Sequence, residues 1–171
     1  MLRLEEERFH AMRKSIVTPV AAAATPIGDL WRDLERIARV EMTSEDDAFP
    51  IEHALGKTVT TGWRASVMGP QVVRLHFDEP LTIRRIQLHF IDRTAERSQE
   101  FALFVNGEAG SMREIVRQQW TFSPSGATEE IEDFAVGLTG VTLLELQIDP
   151  DRSHDASQSQ NYATLANLKI A

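Results

Sequence analysis

The chain contains no cysteine, and this absence excludes several classes of site. Without a thiol there can be no disulfide, no thiolate zinc site and no cysteine nucleophile. Long apolar runs are also absent, because no stretch reaches the ~18 residues that a membrane-spanning helix needs. The sequence has no phosphate-binding glycine loop, no G-x-G-x-x-G and no G-x-S-x-G. Catalysis therefore has no visible location in the sequence.

Basic residues are fewer than acidic residues in this chain. The chain has 18 Lys and Arg against 26 Asp and Glu, which gives a formal net charge of −8. A surface of this sign repels a phosphate backbone, so a nucleic-acid partner is disfavoured. With 171 residues, 42% of them hydrophobic, the chain is long enough to bury a core of its own. We expect one globular domain.

The first 38 residues differ in pattern from the rest. Apolar residues recur at roughly helical spacing around residues 4–12 and again around residues 30–40. This spacing predicts two short helices, joined by a loose stretch that contains Pro19 and Pro26. Helices this short are marginal in isolation, so we expect them to pack on the main domain or on a second copy of the chain.

The same segment bears on the cellular compartment. From Met12 the sequence reads "MRKSIVTPVAAAATP", with two basic residues, a short apolar run and small residues, which loosely resembles a signal peptide. Pro19 interrupts that run, and the lack of cysteine fits the cytoplasm slightly better. We therefore predict a cytoplasmic location, with secretion or the periplasm as the alternative.

From about residue 39 the hydrophobic period changes to two. Apolar and polar residues alternate in "QVVRLHF" and in "IRRIQLHF", which predicts two strands. The "DEPLT" between them predicts a proline turn, with the strands antiparallel and their basic faces on the same side. The pattern favours an all-β fold over residues 39–171, a jelly-roll antiparallel β-sandwich of about eight strands. The other six candidates are "ARVEMTS", "QEFALFVNG", "MREIVRQQWTF", "IEDFAVGL", "VTLLELQID" and "ATLANLKIA".

A series of short motifs runs through this region in a fixed order. Ala54 and Gly56 precede Thr61 and Trp63, and "GPQVVRLHF", "DEPLTI", "RRIQLHF", "FALFVNGE" and "ATLANLKIA" follow. In this order the motifs resemble the discoidin, or coagulation factor 5/8 type C, family of the galactose-binding-domain-like superfamily. The resemblance covers roughly residues 40–171 and leaves the first 38 residues outside it.

The resemblance implies a module without catalytic activity whose loops at one end of the sandwich bind a ligand. In bacterial members that resemble family 32 carbohydrate-binding modules the ligand is a sugar, whereas other members bind phospholipid headgroups or proteins. The family often has an aspartate before the motif glycine and a glutamate in the closing strand, near a structural calcium ion. Here those places hold Leu55 and Asn167. Because calcium prefers carboxylate oxygens, we expect no bound metal and no cofactor.

Sugar recognition needs forked polar groups and an aromatic face, which loops commonly present. Suitable residues occur in "EDDAFPIEHALG", "IDRTAERSQ" and "DPDRSHDASQSQNY". Each candidate also has a structural alternative, which is a solvated loop charge for the arginines, a turn residue for His53 and strand-end packing for Tyr162. The predicted ligand-binding residues are His53, Arg93, Arg97, His154, Asn161 and Tyr162.

Other features favour structural roles. We expect Trp63 to lie in the core and the loop tip Val67–Met68 to be buried, although two apolar residues there could also touch a membrane. The five histidines show no paired spacing for a metal. The competing function is a protein-interaction or oligomerisation module that displays a basic outer face made of Arg74, His76, Arg85 and His89.

Overall fold

The computed structural model describes residues 30–58, 61–106, 110–153 and 161–171. The helix predicted around residues 4–12 lies outside these ranges. The described elements are two short helices and eight strands, listed in chain order: α1 (Leu34–Ile37), β1 (Ala38–Met42), α2 (Glu52–Leu55), β2 (Trp63–Met68), β3 (Gln71–Ile91), β4 (Arg97–Asn106), β5 (Met112–Phe122), β6 (Glu129–Asp149), β7 (Tyr162–Leu165) and β8 (Asn167–Ile170). Within the described residues, no helix is long and apolar enough to cross a membrane.

All strand pairs in this fold are antiparallel. The main sheet has the order β1-β3-β6-β4-β5, β8 pairs with the second half of β3, and β2 pairs with β7 separately. The main sheet folds over on itself to form two layers, since Phe90 of β3 and Phe134 of β6 lie with their ring centroids 5.5 and 6.2 Å from that of Phe101 on β4. The predicted antiparallel β-sandwich is confirmed.

The predicted proline turn between "QVVRLHF" and "IRRIQLHF" is wrong. Both segments belong to the single strand β3, which runs antiparallel to β6 from the Gln71 pair to the Ile91 pair. The pairing lapses between His76 and Leu81, so Pro80, which has no N–H to donate, is tolerated there. The chain therefore bends at this point without reversing. The matching bend in β6 contains Gly140 at φ 67°, in the left-handed region that favours glycine.

Other strand boundaries also differ from those predicted. The two segments "IEDFAVGL" and "VTLLELQID" are one strand, β6, and the closing segment is divided into β7 and β8. The division falls at Ala166, whose N–H donates to the carbonyl of His89. Strand β2, which the sequence pattern did not predict, begins at Trp63. As expected, the Trp63 side chain is in the core, with 1% of its surface exposed.

The N-terminal part that the structure describes is attached to the sandwich. Helix α1 has only four residues, because the chain pairs with β3 from Ala38 onward. Leu34 is buried in the same hydrophobic core as the strands. The second predicted helix is thus much shorter than its hydrophobic pattern indicates. The domain boundary between residues 38 and 39 stays a prediction.

On one side of the sandwich the two layers are not joined by strand pairing. There β5 is an edge strand, and residues 129–135 of β6 pair only with β3 among the described residues. Glu130 and Glu132 lie on the same side of β6, and both are partly buried. With the Gln118 side-chain amide on β5 oriented so that its nitrogen faces Glu132, the nitrogen donates to the two carboxylate oxygens at 2.7 and 3.0 Å. Burial, followed by the hydrogen bond and charge of Glu130, raises the pKa of Glu132 to about 7.

This raised pKa makes a prediction for stability. Because the pKa of Glu132 is higher in the folded chain than its ordinary 4.5, the group favours folding most below pH 4.5 and loses that contribution as the pH rises towards 7. We expect Glu132→Gln to raise the melting temperature relative to the wild type at pH 8, with the difference shrinking at pH 4.5. Thermal melts of both proteins at the two pH values measure this, and a difference independent of pH would contradict it.

Candidate functional site

Several connections meet at one end of the sandwich, which we call the loop end. They are the β3–β4 loop at residues 92–96, the turn between β2 and β3 at residues 69–70, and residues 150–153 after β6. Hydrogen bonds join two of them to neighbouring parts of the chain. The Arg152 N–H donates to Ser98 O at 2.7 Å, and the Gly69 N–H donates to Asn161 O at 3.4 Å. Residues from distant parts of the sequence are thus held together at one surface.

An exposed apolar rim lies at the loop end. Tyr162 is 40% exposed, Met68 is 47% exposed, and the two are paired across β2 and β7. Val67, next to Met68, is 59% exposed. The prediction that the Val67–Met68 tip is buried is therefore wrong. Among the described residues, strand β2 pairs only with the short β7, so no second described strand covers its last residues.

The two arginines of the β3–β4 loop have different environments. Arg93 is exposed, and its side chain makes no hydrogen bond or ion pair within the described residues. Arg97 is only 2% exposed, with Nε 2.6 Å from Asp92 Oδ2 and Nη1 2.6 Å from the carbonyl of Pro150. Its Nη1 also donates to Gln99 Oε1 at 2.7 Å. These contacts contradict the predicted ligand contact of Arg97, because its guanidinium group is enclosed by protein and ties two loops together.

Asp92 organises the same loop. Its Oδ1 accepts hydrogen bonds from the N–H and hydroxyl of Thr94, at 2.8 and 2.9 Å, which forms a local turn. Burial alone would raise the pKa of Asp92, but the Thr94 N–H bond and the bond and charge of Arg97 outweigh it and lower the pKa. Asp92 is therefore ionised at neutral pH and pairs with Arg97.

The remaining predicted residues divide between the loop end and other places. Asn161 is partly buried at the loop end, immediately before Tyr162. His154 lies outside the described residues. His53 is on α2, with Nδ1 2.9 Å from Thr61 Oγ1, and α2 contacts β8, α1 and β2. Arg152 belongs to the same polar segment but was not among the predicted ligand-binding residues, and it is exposed at the loop end with Nε 3.6 Å from Glu100 Oε2.

Comparison with known proteins relates this architecture to solved structures, although no family model and no curated protein matches the chain. The family 32 module of C. perfringens NanJ, in complex with galactose, matches with a TM-score of 0.57 and 13% identity over 82% of this chain and 96% of that chain. CpGH89CBM32-4 of Clostridium perfringens, in complex with GlcNAc-α-1,4-galactose, gives 0.60 and 13% over 86% and 98%. The CBM32 of AlyQ, in complex with 4,5-unsaturated mannuronic acid, gives 0.56 and 15% over 79% and 95%.

The fold is that of the family 32 carbohydrate-binding modules. The resemblance inferred from the motifs around Trp63 is thereby confirmed at the level of the fold. At these low identities the likeness shows architecture, and the loop residues of this chain have to be considered by themselves.

The place where the family resemblance implies calcium is occupied by other interactions in this chain. Asn167 is buried, and its Nδ2 donates to the carbonyl of Ala54 at 3.0 Å. Leu55, where the family often has aspartate, is buried in the core. The described residues contain no group of three His, Asp or Glu that could hold a metal. An amide N–H directed at a carbonyl and a leucine side chain do not fit a calcium site.

The predicted basic outer face is neutralised by carboxylates. Each of its four side chains has an acidic partner, with the distances 2.6, 3.0, 2.6 and 2.6 Å for the pairs Arg74–Glu145, His76–Glu41, Arg85–Asp133 and His89–Glu129. In addition, β3 passes through a bend between Arg74 and Arg85, so the four residues do not stand on two strands of one hairpin. The pattern of basic residues therefore does not produce a basic binding surface.

The contrast between Arg97 and Arg93 yields a stability prediction. Arg97→Ala leaves the Asp92 carboxylate, Gln99 Oε1 and the Pro150 carbonyl without their buried donor, so we expect a loss of about 3 kcal/mol in the free energy of unfolding. Arg93→Ala is the matched control, and we expect it to change stability by less than about 0.5 kcal/mol. Urea unfolding of both variants tests this. Equal effects would show that Arg97 does not hold the loops.

Proposed function

We propose that this chain is a carbohydrate-binding module without catalytic activity, and that it binds a glycan at the loop end. The observation that carries the proposal is the exposed apolar rim of Tyr162, Met68 and Val67 at the loop end. Arg93 is exposed on the β3–β4 loop of the same end, with no side-chain partner among the described residues. An aromatic ring next to a forked donor is the combination that a sugar needs, since its ring has an apolar C–H face and a polar edge. Solved structures of the same fold hold galactose or other sugars.

In this proposal each group has its own part in binding. The Tyr162 ring covers the C–H face of a sugar, and Met68 extends that apolar surface because it stands opposite Tyr162 in the β2–β7 pair. The Arg93 guanidinium donates to hydroxyl groups at the edge of the sugar. Arg97 takes part only indirectly, by holding residues 92 and 150 in place.

The alternative of a protein-interaction module is less well supported. Its predicted surfaces were the basic outer face and the N-terminal helices, and each of the four basic side chains of that face has a carboxylate partner. An exposed ion pair contributes little to attraction at a distance, because its two charges largely cancel. Glycan binding at the loop end therefore remains the better proposal.

Binding can be tested with a glycan array, using the wild type and Tyr162→Ala. We expect the wild type to bind at least one glycan and Tyr162→Ala to lose about tenfold or more in affinity, because a stacking ring of this kind supplies more than about 1.4 kcal/mol. Ile131→Ala is the control, since Ile131 is an exposed apolar residue on β6. Both variants should keep the circular dichroism spectrum of the wild type.

Three outcomes would count against the proposal. A blank array from folded wild-type protein would remove the glycan ligand. Equal losses in Tyr162→Ala and Ile131→Ala would show that the rim is not the site. Cleavage of a bound glycan, followed by chromatography of the products, would contradict the absence of catalysis.

We also propose that the domain needs no calcium, because Asn167 and Leu55 fill the place of the expected ligands. A metal bound to the folded state at 100 times its dissociation constant would add about 2.7 kcal/mol of stability. We expect calcium and EDTA to leave the melting temperature and the glycan affinity unchanged. A rise of several degrees on adding calcium would overturn this proposal, and would leave the glycan site untouched.

A further inference from the structure

A cavity lies between residues 31–32, α2 and β8, away from the apolar rim. Its volume is about 230 Å3, and its lining includes Trp31, Arg32, Leu55, Lys57, Leu168 and Lys169. This is the volume of about eight water molecules, which is enough for a single sugar ring. The lining shares no residue with the rim of Tyr162, Met68 and Val67.

The charges of this cavity all have one sign. Its three charged lining residues, Arg32, Lys57 and Lys169, are cations, in a chain whose net charge is −8. Lys57 is paired with Asp33 at 2.9 Å. Neither Lys169 nor Arg32 has a carboxylate partner in the described part of the chain, and the one side-chain hydrogen bond of Arg32 goes to the Thr82 carbonyl at 3.4 Å. The cavity therefore attracts an anion.

The accessible apolar surface of the cavity is the partly buried indole of Trp31. Leu55 and Leu168 also line the cavity, but they are only 5% and 1% exposed. The ammonium of Lys169 lies 5.7 Å from the centroid of the Trp31 ring, which positions the charge without neutralising it. The guanidinium of Arg85 lies 4.8 Å from the same centroid, but Asp133 balances its charge. An aromatic surface thus stands directly beside an uncompensated cation.

We propose that this cavity is a second binding site, and that its ligand is a sugar ring carrying a carboxylate, such as a uronic acid. Lys169 and Arg32 pair with the carboxylate, and the Trp31 indole covers the C–H face of the ring. The cations select for the acid, and the indole selects for the ring. This site is separate from the proposed glycan site at the loop end and does not depend on it.

Calorimetry with three small ligands on the full chain tests the proposal. Glucuronate has both the ring and the carboxylate, glucose has only the ring, and acetate has only the carboxylate. We expect glucuronate to bind at least tenfold more tightly than either of the others. Its affinity should fall at about 1 M ionic strength, where the Debye length is only about 3 Å.

Variants locate the binding. We expect Lys169→Gln to weaken glucuronate at least tenfold, and to reduce the chemical-shift change of the Trp31 indole N–H on titration. Arg113→Gln is the matched control, because it removes one positive charge from an exposed position on β5. We expect Arg113→Gln to bind as the wild type does. Neither change removes a buried group, so both variants should fold.

Four results would overturn the proposal. They are no binding of glucuronate, equal binding of acetate, equal loss in Lys169→Gln and Arg113→Gln, or loss of glucuronate binding in Tyr162→Ala. The last would place the acid at the loop end, and would support the proposed glycan site while removing the second one. Conversely, a blank glycan array together with glucuronate binding that depends on Lys169 would remove the loop-end site alone.

Discussion

The pairing of β3 with β6 is the constraint on which the rest of the domain depends. The two 21-residue strands remain antiparallel neighbours from the Gln71–Ile148 pair to the Ile91–Glu129 pair. The first half of β3 also pairs with β1 and its second half with β8, while the second half of β6 pairs with β4. Because both strands bend at the same level, their far halves pack over β4. One long ribbon thus supplies the middle of both layers.

This arrangement also explains which parts of the fold could be predicted from the sequence. The alternation of Val73, Leu75 and Phe77 with polar residues is a local property, and all three side chains are buried as the pattern indicates. Whether the chain reverses or bends after Phe77 depends on its partner strand, which local alternation does not specify. Pro80 is compatible with a turn and equally with an unpaired bend. The two segments on either side of Pro80 were therefore predictable as strands, whereas their continuity was not.

The candidate site shows the same division between local and long-range information. Arg93 and Arg97 are four residues apart in one polar loop, and nothing in their neighbourhood in the sequence separates an exposed arginine from a buried one. The difference arises from the Pro150 carbonyl, 53 residues away, which accepts a hydrogen bond from Arg97. Tyr162 was predicted from its residue type, but the exposure of Met68 beside it follows from the β2–β7 pairing.

How strongly a surface of this molecule attracts an anion depends more on how enclosed its cations are than on how many cations it has. Arg113 and Lys169 both lack a carboxylate partner among the described residues, yet Arg113 is exposed and water screens its charge. Lys169 is partly buried against Trp31 at the wall of a cavity with no acidic lining residue. Low-dielectric walls concentrate the field of such a charge, so its interaction with an anion is stronger than that of an exposed cation. In an acidic chain, an enclosed cation beside an aromatic ring is therefore more informative about binding than a row of basic residues that carboxylates neutralise.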